Sequence, residues 1–255
     1  MSVVVVAVLV VALALASSLS STGRPDAVSG ELDGAAAPPY LMAGGENPVS
    51  ESQDVAAPAV VPSAPTPVDE ALVSQAGTGQ LSVVAGSTSQ DQSDESTGVV
   101  RYRVMVEDGL TVSGDPVDGT EVAAIVHDVL TDSRGWGPLE GVVFQRVPSA
   151  DSDVDVVLAS PETTDALCAP LGTGGWLSCF NGSATVLNAR RWFSGVESYG
   201  LDLVGYRRYL VSHEMGHYLG HQHEGCPAPG AVAPVMVQQT KSLDGCTKGP
   251  WPSGA

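Results

Sequence analysis

Apolar and polar positions fall into three regimes along the chain. Residues 3–16, VVVVAVLVVALALA, form an unbroken apolar run. A helical membrane span needs about 20 such residues, so this run is short for one and suits the apolar core of a signal peptide. Ala14-Leu15-Ala16 fits an A-x-A cleavage pattern, but no Lys or Arg precedes the run. Residues 1–21 therefore read as a signal peptide or an uncleaved N-terminal membrane anchor. Residues 22–98 show no periodicity. They hold eight prolines, eleven acids, one base and a single aromatic, Tyr40. Such a stretch buries too little apolar surface to offset the entropy of ordering it. We expect a disordered, acidic, Pro/Ala/Ser/Gly-rich linker.

From residue 99 the pattern changes. VRYRVMVE (100–107) alternates as a strand does, and Asp108-Gly109 marks a turn. GTEVAAIVHDVLTD (119–132) sets Val122, Ile125, Val126 and Val129 on one helical face. VVFQRV (142–147) and VDVVLAS (154–160) read as strands. LSCF and TVLN flank Asn181-Gly182, a hairpin signal because both turn positions take positive φ. Asn181-Gly182-Ser183 also spells a glycosylation sequon, for which the turn is reason enough. A second helix is expected over about 203–219, capped by Asp202 and ended by Gly220. Strand, helix, two strands, hairpin, helix is the order of a mixed α/β domain of the α+β class, with helices packed on a mixed sheet.

Charge adds little to this picture. The net charge is −18, and residues 22–98 carry −10 of it. No basic surface suits a nucleic acid, so none is expected as a partner. A membrane is expected only through the N-terminal segment, if that is not removed. The cysteines add more. Cys168, Cys179, Cys226 and Cys246 are even in number and contain no C-x-x-C pair, so disulfides are the natural reading in an exported chain. Three connectivities are possible. Cys168–Cys179 and Cys226–Cys246 each close a short local loop and are favoured.

Four of the five histidines lie in HEMGHYLGHQH, residues 213–223. His213 and His217 are four apart on the expected helix, so both imidazoles leave the same face and can share one Zn²⁺ ion. A catalytic zinc has three protein ligands and keeps one position open. Glu214, next to the first ligand, is placed to act as general base and then acid without itself binding metal. Gly220 lets the chain turn back so that His223 supplies the third ligand. His221 would take that place only if the helix ran on, and otherwise flanks the site. His127 reads as ordinary helix surface, and Arg190-Arg191 as a surface pair that could alternatively hold a substrate carboxylate.

The filled pattern H-E-x-x-H-x-x-G-x-x-H resembles the metzincin clan of zinc peptidases. Its members also have a methionine in a tight turn beneath the zinc, and in PVMVQQ Met236 is the only Met after the motif. LNARRW (187–192), HEMGHYLGH (213–221), PVMVQQT (234–240) and GPWP (249–252) are similar to an uncharacterised, metzincin-like secreted family of Gram-positive actinobacteria, over about residues 99–253. The resemblance implies a small metzincin-like domain (99–255) with a twisted mixed sheet, one backing helix, one active-site helix and a minimal C-terminal subdomain. It implies a secreted or membrane-tethered zinc metalloendopeptidase that cuts a peptide or protein substrate. A zinc amidase acting on cell-wall peptides, or a zinc-stabilised binding domain without turnover, are the alternatives. Only 32 residues follow His223. Glu224 is similar to the astacin branch of the clan. That branch has a tyrosine ligand two residues after its Met, where this chain has Gln238, so the resemblance supplies no oxyanion stabiliser beyond zinc. The linker has no cysteine, which excludes a thiolate from that stretch as a blocking ligand.

Overall fold

The computed structural model describes residues 64–88 and 98–254. The expected leader, 1–21, and much of the expected linker lie outside them. The elements in chain order are β1 (Leu81–Val83), β2 (Gly98–Glu107), β3 (Thr111–Val112), β4 (Asp115–Pro116), α1 (Gly119–Thr131), α2 (Trp136–Glu140), β5 (Val142–Arg146), β6 (Val154–Ala159), α3 (Pro161–Cys168), β7 (Cys179–Phe180), β8 (Ala184–Asn188), α4 (Ala189–Ser194) and α5 (Leu203–Tyr218). Three short helices, α2 to α4, join the two that the periodicity predicts. The fold is α+β, with a six-stranded mixed sheet.

Strand β2 is the centre of that sheet. β6 runs parallel along one edge, and β8 runs parallel beside β6. On the other edge β5 pairs in parallel with Gly98–Tyr102, while β1 pairs antiparallel with Met105–Glu107. β7 closes the far side, antiparallel to β8. Alternation along β2 and β6 sorts the side chains onto two faces. Val100, Tyr102, Val104 and Val106 join Val154, Val156 and Leu158 in the main core with α1 and α5. Met105 instead packs against a smaller cluster of Val157, Ala159 and Val186 with the paired Cys168 and Cys179. Each fully buried valine or leucine contributes about 1.5–3 kcal/mol, so the two faces jointly fix the register. On α1, His127 is more than surface: its Nδ1 meets the Tyr102 hydroxyl at 2.8 Å.

The linker expectation needs correction at its C-terminal end. Residues 64–88 pack into the domain, with a single 3₁₀ turn at Glu70–Leu72 and strand β1 on the sheet. Composition misses this because a three-residue edge strand needs little apolar surface. Val73 enters the main core, Val68 and Val84 pack against it, and a polar anchor adds to them. Glu107 is 2% exposed. Its carboxylate accepts from Gly77 N at 3.1 Å, Gly79 N at 2.9 Å, Ser160 N at 2.7 Å and Thr163 Oγ1 at 2.7 Å. One side chain thus ties the N-terminal segment to the end of β2 and the start of α3.

Burial pushes the Glu107 carboxyl up, but the hydrogen bonds from Thr163, Ser160 and Gly79 outweigh it and leave it below the usual range. A depressed folded-state pKa gives stability that is present above the unfolded value, near 4.3, and lost as pH falls through the folded one. Glu107→Gln turns one accepting oxygen into a donor, leaves a donor aimed at it unpaired, and is expected to cost about 1–3 kcal/mol at pH 7. Thermal melts of the two proteins should converge as the pH drops below about 4; a gap that holds at low pH would mean the charge at Glu107 is not what secures the segment.

Candidate metal centre

Helix α5 is sheathed on nearly all sides: twelve of its residues are buried, from Leu203 to Gly216. Several of its polar side chains bond to the surrounding chain. Arg207 Nε donates to Trp192 O at 2.8 Å, Tyr206 Oη meets Thr240 Oγ1 at 2.9 Å, and Tyr209 Oη donates to Val237 O at 3.2 Å. Asp202 caps the helix as the sequence predicts, accepting from Gly205 N at 2.8 Å. The C-terminus also follows prediction. Gly220 has φ +98°, its N–H reaches His217 O at 3.1 Å, and His221 N reaches Gly216 O at 2.9 Å. This pair of bonds is a Schellman motif, and it reverses the chain at once.

The reversal brings His223 back to the helix. His213, His217 and His223 each offer one ring nitrogen, and these nitrogens all lie within 4.8 Å of one another. His217 Nε2 and His223 Nε2 are 3.0 Å apart. Two nitrogens on one tetrahedral zinc, at Zn–N of 2.0–2.1 Å, stand about 3.3 Å apart, so the His217–His223 pair is near that spacing and the three donors are of the kind such an ion takes. The other nitrogens are held from behind. His213 Nδ1 donates to Val235 O at 2.8 Å and His217 Nδ1 to His221 O at 2.9 Å. Those carbonyls fix each ring and its tautomer, leaving Nε2 as the free lone pair. Burial pushes His213 down to about 3 against the opposing bond to Val235, with smaller repulsions from His217, His223 and Lys241 in the same direction as burial. Burial, His217 and Lys241 also lower His223. Both are neutral imidazoles at pH 7, the form that ligates.

His221 lies outside the three-histidine cluster. Its Nε2 meets Glu140 Oε1 at 2.9 Å and its ring stacks on Trp136, centroids 4.2 Å apart. It acts through its carbonyl on His217. Trp136 in turn donates from Nε1 to Ser212 O at 2.7 Å. Sequence reasoning missed Trp136, whose bond to α5 spans 76 residues.

Met236 is buried, 1% exposed, with its sulfur packed close to Gly216 of α5. It sits in a tight turn closed by Val237 N to Pro234 O at 3.0 Å, and Glu224 N donates to Met236 O at 3.0 Å. The turn that supplies Val235 O to His213 is thus also sewn to the residue after His223. Both favoured disulfides are present, Cys168–Cys179 and Cys226–Cys246, and the second brackets this turn. Gln239 pins the loop from inside, accepting from Tyr199 Oη at 2.8 Å and donating to Gly249 O at 2.7 Å. No periodicity announces such a residue.

Glu214 is 5% exposed and lines the same cleft as the three histidines. Burial alone pushes its carboxyl up to about 8. The cleft has a volume of about 550 Å³, and the loop closed by Cys168–Cys179 forms part of its wall through Leu171, Thr173 and Leu177. Arg190 and Arg191 are not the free surface pair expected. The Arg191 side chain is 5% exposed and pairs with Glu70 at 2.5 Å, while Arg190 bonds Gln75, so both clasp the N-terminal segment. The Asn181 side chain is likewise engaged in its turn, accepting from Ser183 N at 3.0 Å and Ala184 N at 2.9 Å.

Fold and site together define a small, disulfide-linked α+β domain built around a three-histidine cluster with an adjacent buried glutamate. The chain belongs to the family described as "Protein of unknown function (DUF3152)", whose model matches residues 68–248. That match begins within the segment anchored by Glu107. No curated protein matches the chain.

Proposed function

We propose that this domain is a zinc-dependent metallopeptidase that works outside the cytoplasm. The observation that carries the reading is the convergence of His213, His217 and His223 beside buried Glu214, in a cleft of about 550 Å³. Zinc held on the three imidazoles would supply Lewis acidity toward a peptide carbonyl and toward water. The chain's own residues supply the rest. Glu214 takes a proton from the attacking water and returns it to the leaving amine, which requires it to start as a carboxylate. Positive charge delivered to the histidine cluster lowers its pKa from about 8 and so favours that form. The dry surroundings of Glu214 hold the proton for transfer rather than losing it to solvent. Val235 O and His221 O keep the imidazoles aimed while charge moves through the site.

The resemblance to metzincins supports the same reading, with Met236 in its turn packed close to Gly216. The two disulfides fit an oxidising, extracellular environment. No helix among the described residues is long and apolar enough to cross a membrane. Secretion, or tethering by residues 3–16, belongs to this proposal.

The test is metal content with turnover. The full chain should carry one zinc, cut members of a mixed peptide library, lose that activity to a chelator and regain it with zinc. Zinc uptake without peptide cleavage would move the weight to cell-wall peptides or to a binding role; no uptake would end the proposal.

A further inference from the structure

The cleft beside the histidines holds one uncompensated cation. The chain has two lysines. Lys248 pairs with Asp202 at 2.6 Å. Lys241 lies in the cleft wall and has no carboxylate partner among the described residues. Its ammonium donates to a neutral acceptor, Gln238 Oε1, at 3.2 Å, and its backbone N–H bonds Gln238 O at 2.8 Å. The same turn that follows Met236 therefore presents Gln238 and Lys241 to the cleft. Lys241 is close enough to the cluster to disfavour protons on His213 and His223. Among the residues lining the cleft it is the only Lys or Arg, and Glu214 is the only acid. The remaining lining is neutral, much of it apolar, as at Leu171, Leu177 and Phe180.

This placement runs against the rest of the molecule. In a chain with 29 acids and 11 bases, most of the surface repels anions. An ammonium without a carboxylate partner in the cleft wall makes the cleft attractive to them. We propose that Lys241 is a specificity residue that seats a substrate carboxylate next to the bond held at the histidine centre. The carboxylate comes from an acidic side chain or from a free peptide C-terminus. The inference rests on the peptidase reading and names its substrate class. Gln238, bonded to the Lys241 ammonium, holds it in position and adds an amide donor of its own.

Binding can be read without turnover. The full chain carrying Glu214→Gln, loaded with zinc, is titrated by calorimetry with peptides that differ only at one flanking residue, Asp or Glu against Asn or Gln. A parallel set differs only in a free or amidated C-terminus. One of the two sets should show about a tenfold preference for the carboxylate, the lower range for a charge-assisted hydrogen bond, and that preference should shrink with added salt. Which set responds identifies the source of the carboxylate. Adding Lys241→Gln should abolish the preference, and Lys241→Arg should keep most of it. Equal binding of acid and amide peptides, or a preference that survives Lys241→Gln, overturns the proposal. Zinc content in the same samples separates the two failures: a zinc-loaded protein without anion preference sinks only the role of Lys241, whereas a protein that takes up no zinc sinks the peptidase reading beneath it.

Discussion

Replacing Glu214 by Gln is expected to lower peptide hydrolysis by about a thousandfold while zinc content stays at the wild-type level, because general acid–base catalysis is worth roughly 10²–10⁴ and Gln cannot carry the proton. The side chain lies outside the three-histidine cluster, so that set survives the change. The stability consequence has the opposite sign. In chelator-treated protein, burial raises the Glu214 pKa to about 8. A carboxyl whose folded pKa exceeds its unfolded one loses stability as pH climbs from the unfolded value toward the folded one. Glu214→Gln removes that loss. Metal-free Glu214→Gln should therefore melt above wild type at pH 8, and the difference should fade toward pH 4. A site that trades stability for reactivity behaves this way. Hydrolysis that persists in the Gln variant at near wild-type rate would remove Glu214 from the chemistry. A melting point unchanged at pH 8 would show instead that its carboxyl is better solvated than its burial suggests.

Much of the centre is local, and local features are legible in a sequence. His213, His217 and His223 come together through one helix and one glycine turn, all within eleven residues. Asp202 and Gly220 announce the two ends of α5, and Asn181-Gly182 announces the β7–β8 hairpin. The disulfide pairs follow from loop length alone. What the sequence hides is long-range and polar. Glu107 reaches Gly77 and Ser160 across 30 and 53 positions. A composition argument therefore discards 64–88 as linker although the Glu107 carboxylate holds it at Gly77 and Gly79. Arg191 likewise reads as surface until Glu70, 121 residues away, is found against it. The short helices α3 and α4 did leave signals, since Ser160 with Pro161 and Asn188 are good N-terminal caps. Helices of eight and six residues are too brief to show a period.

Gly216→Ala is expected to destabilise the protein by about 1–3 kcal/mol and to weaken zinc binding about 10- to 100-fold, although alanine is the better helix former. In an open helix interior the same change would gain up to about 1 kcal/mol. Here a Cβ would stand 2.5 Å from Met236 Sδ and 2.8 Å from Trp136 Cζ2. A methionine end can swing, but Met236 is 1% exposed and has little room to do so. The Trp136 ring is fixed between its bond to Ser212 O and the stacked His221. The strain therefore passes into the turn that carries Val235 O, the carbonyl that aims His213, and into His221, whose carbonyl aims His217. Gly225→Ala is the control: its Cβ meets nothing within 4 Å, and it lies just past His223. Melting curves and competitive zinc titrations of the two variants should diverge, with Gly225→Ala near wild type. A Gly216→Ala protein that is more stable and binds zinc normally would show that Met236 and Trp136 do not buttress the centre, and that the close packing around Gly216 leaves space for a methyl group.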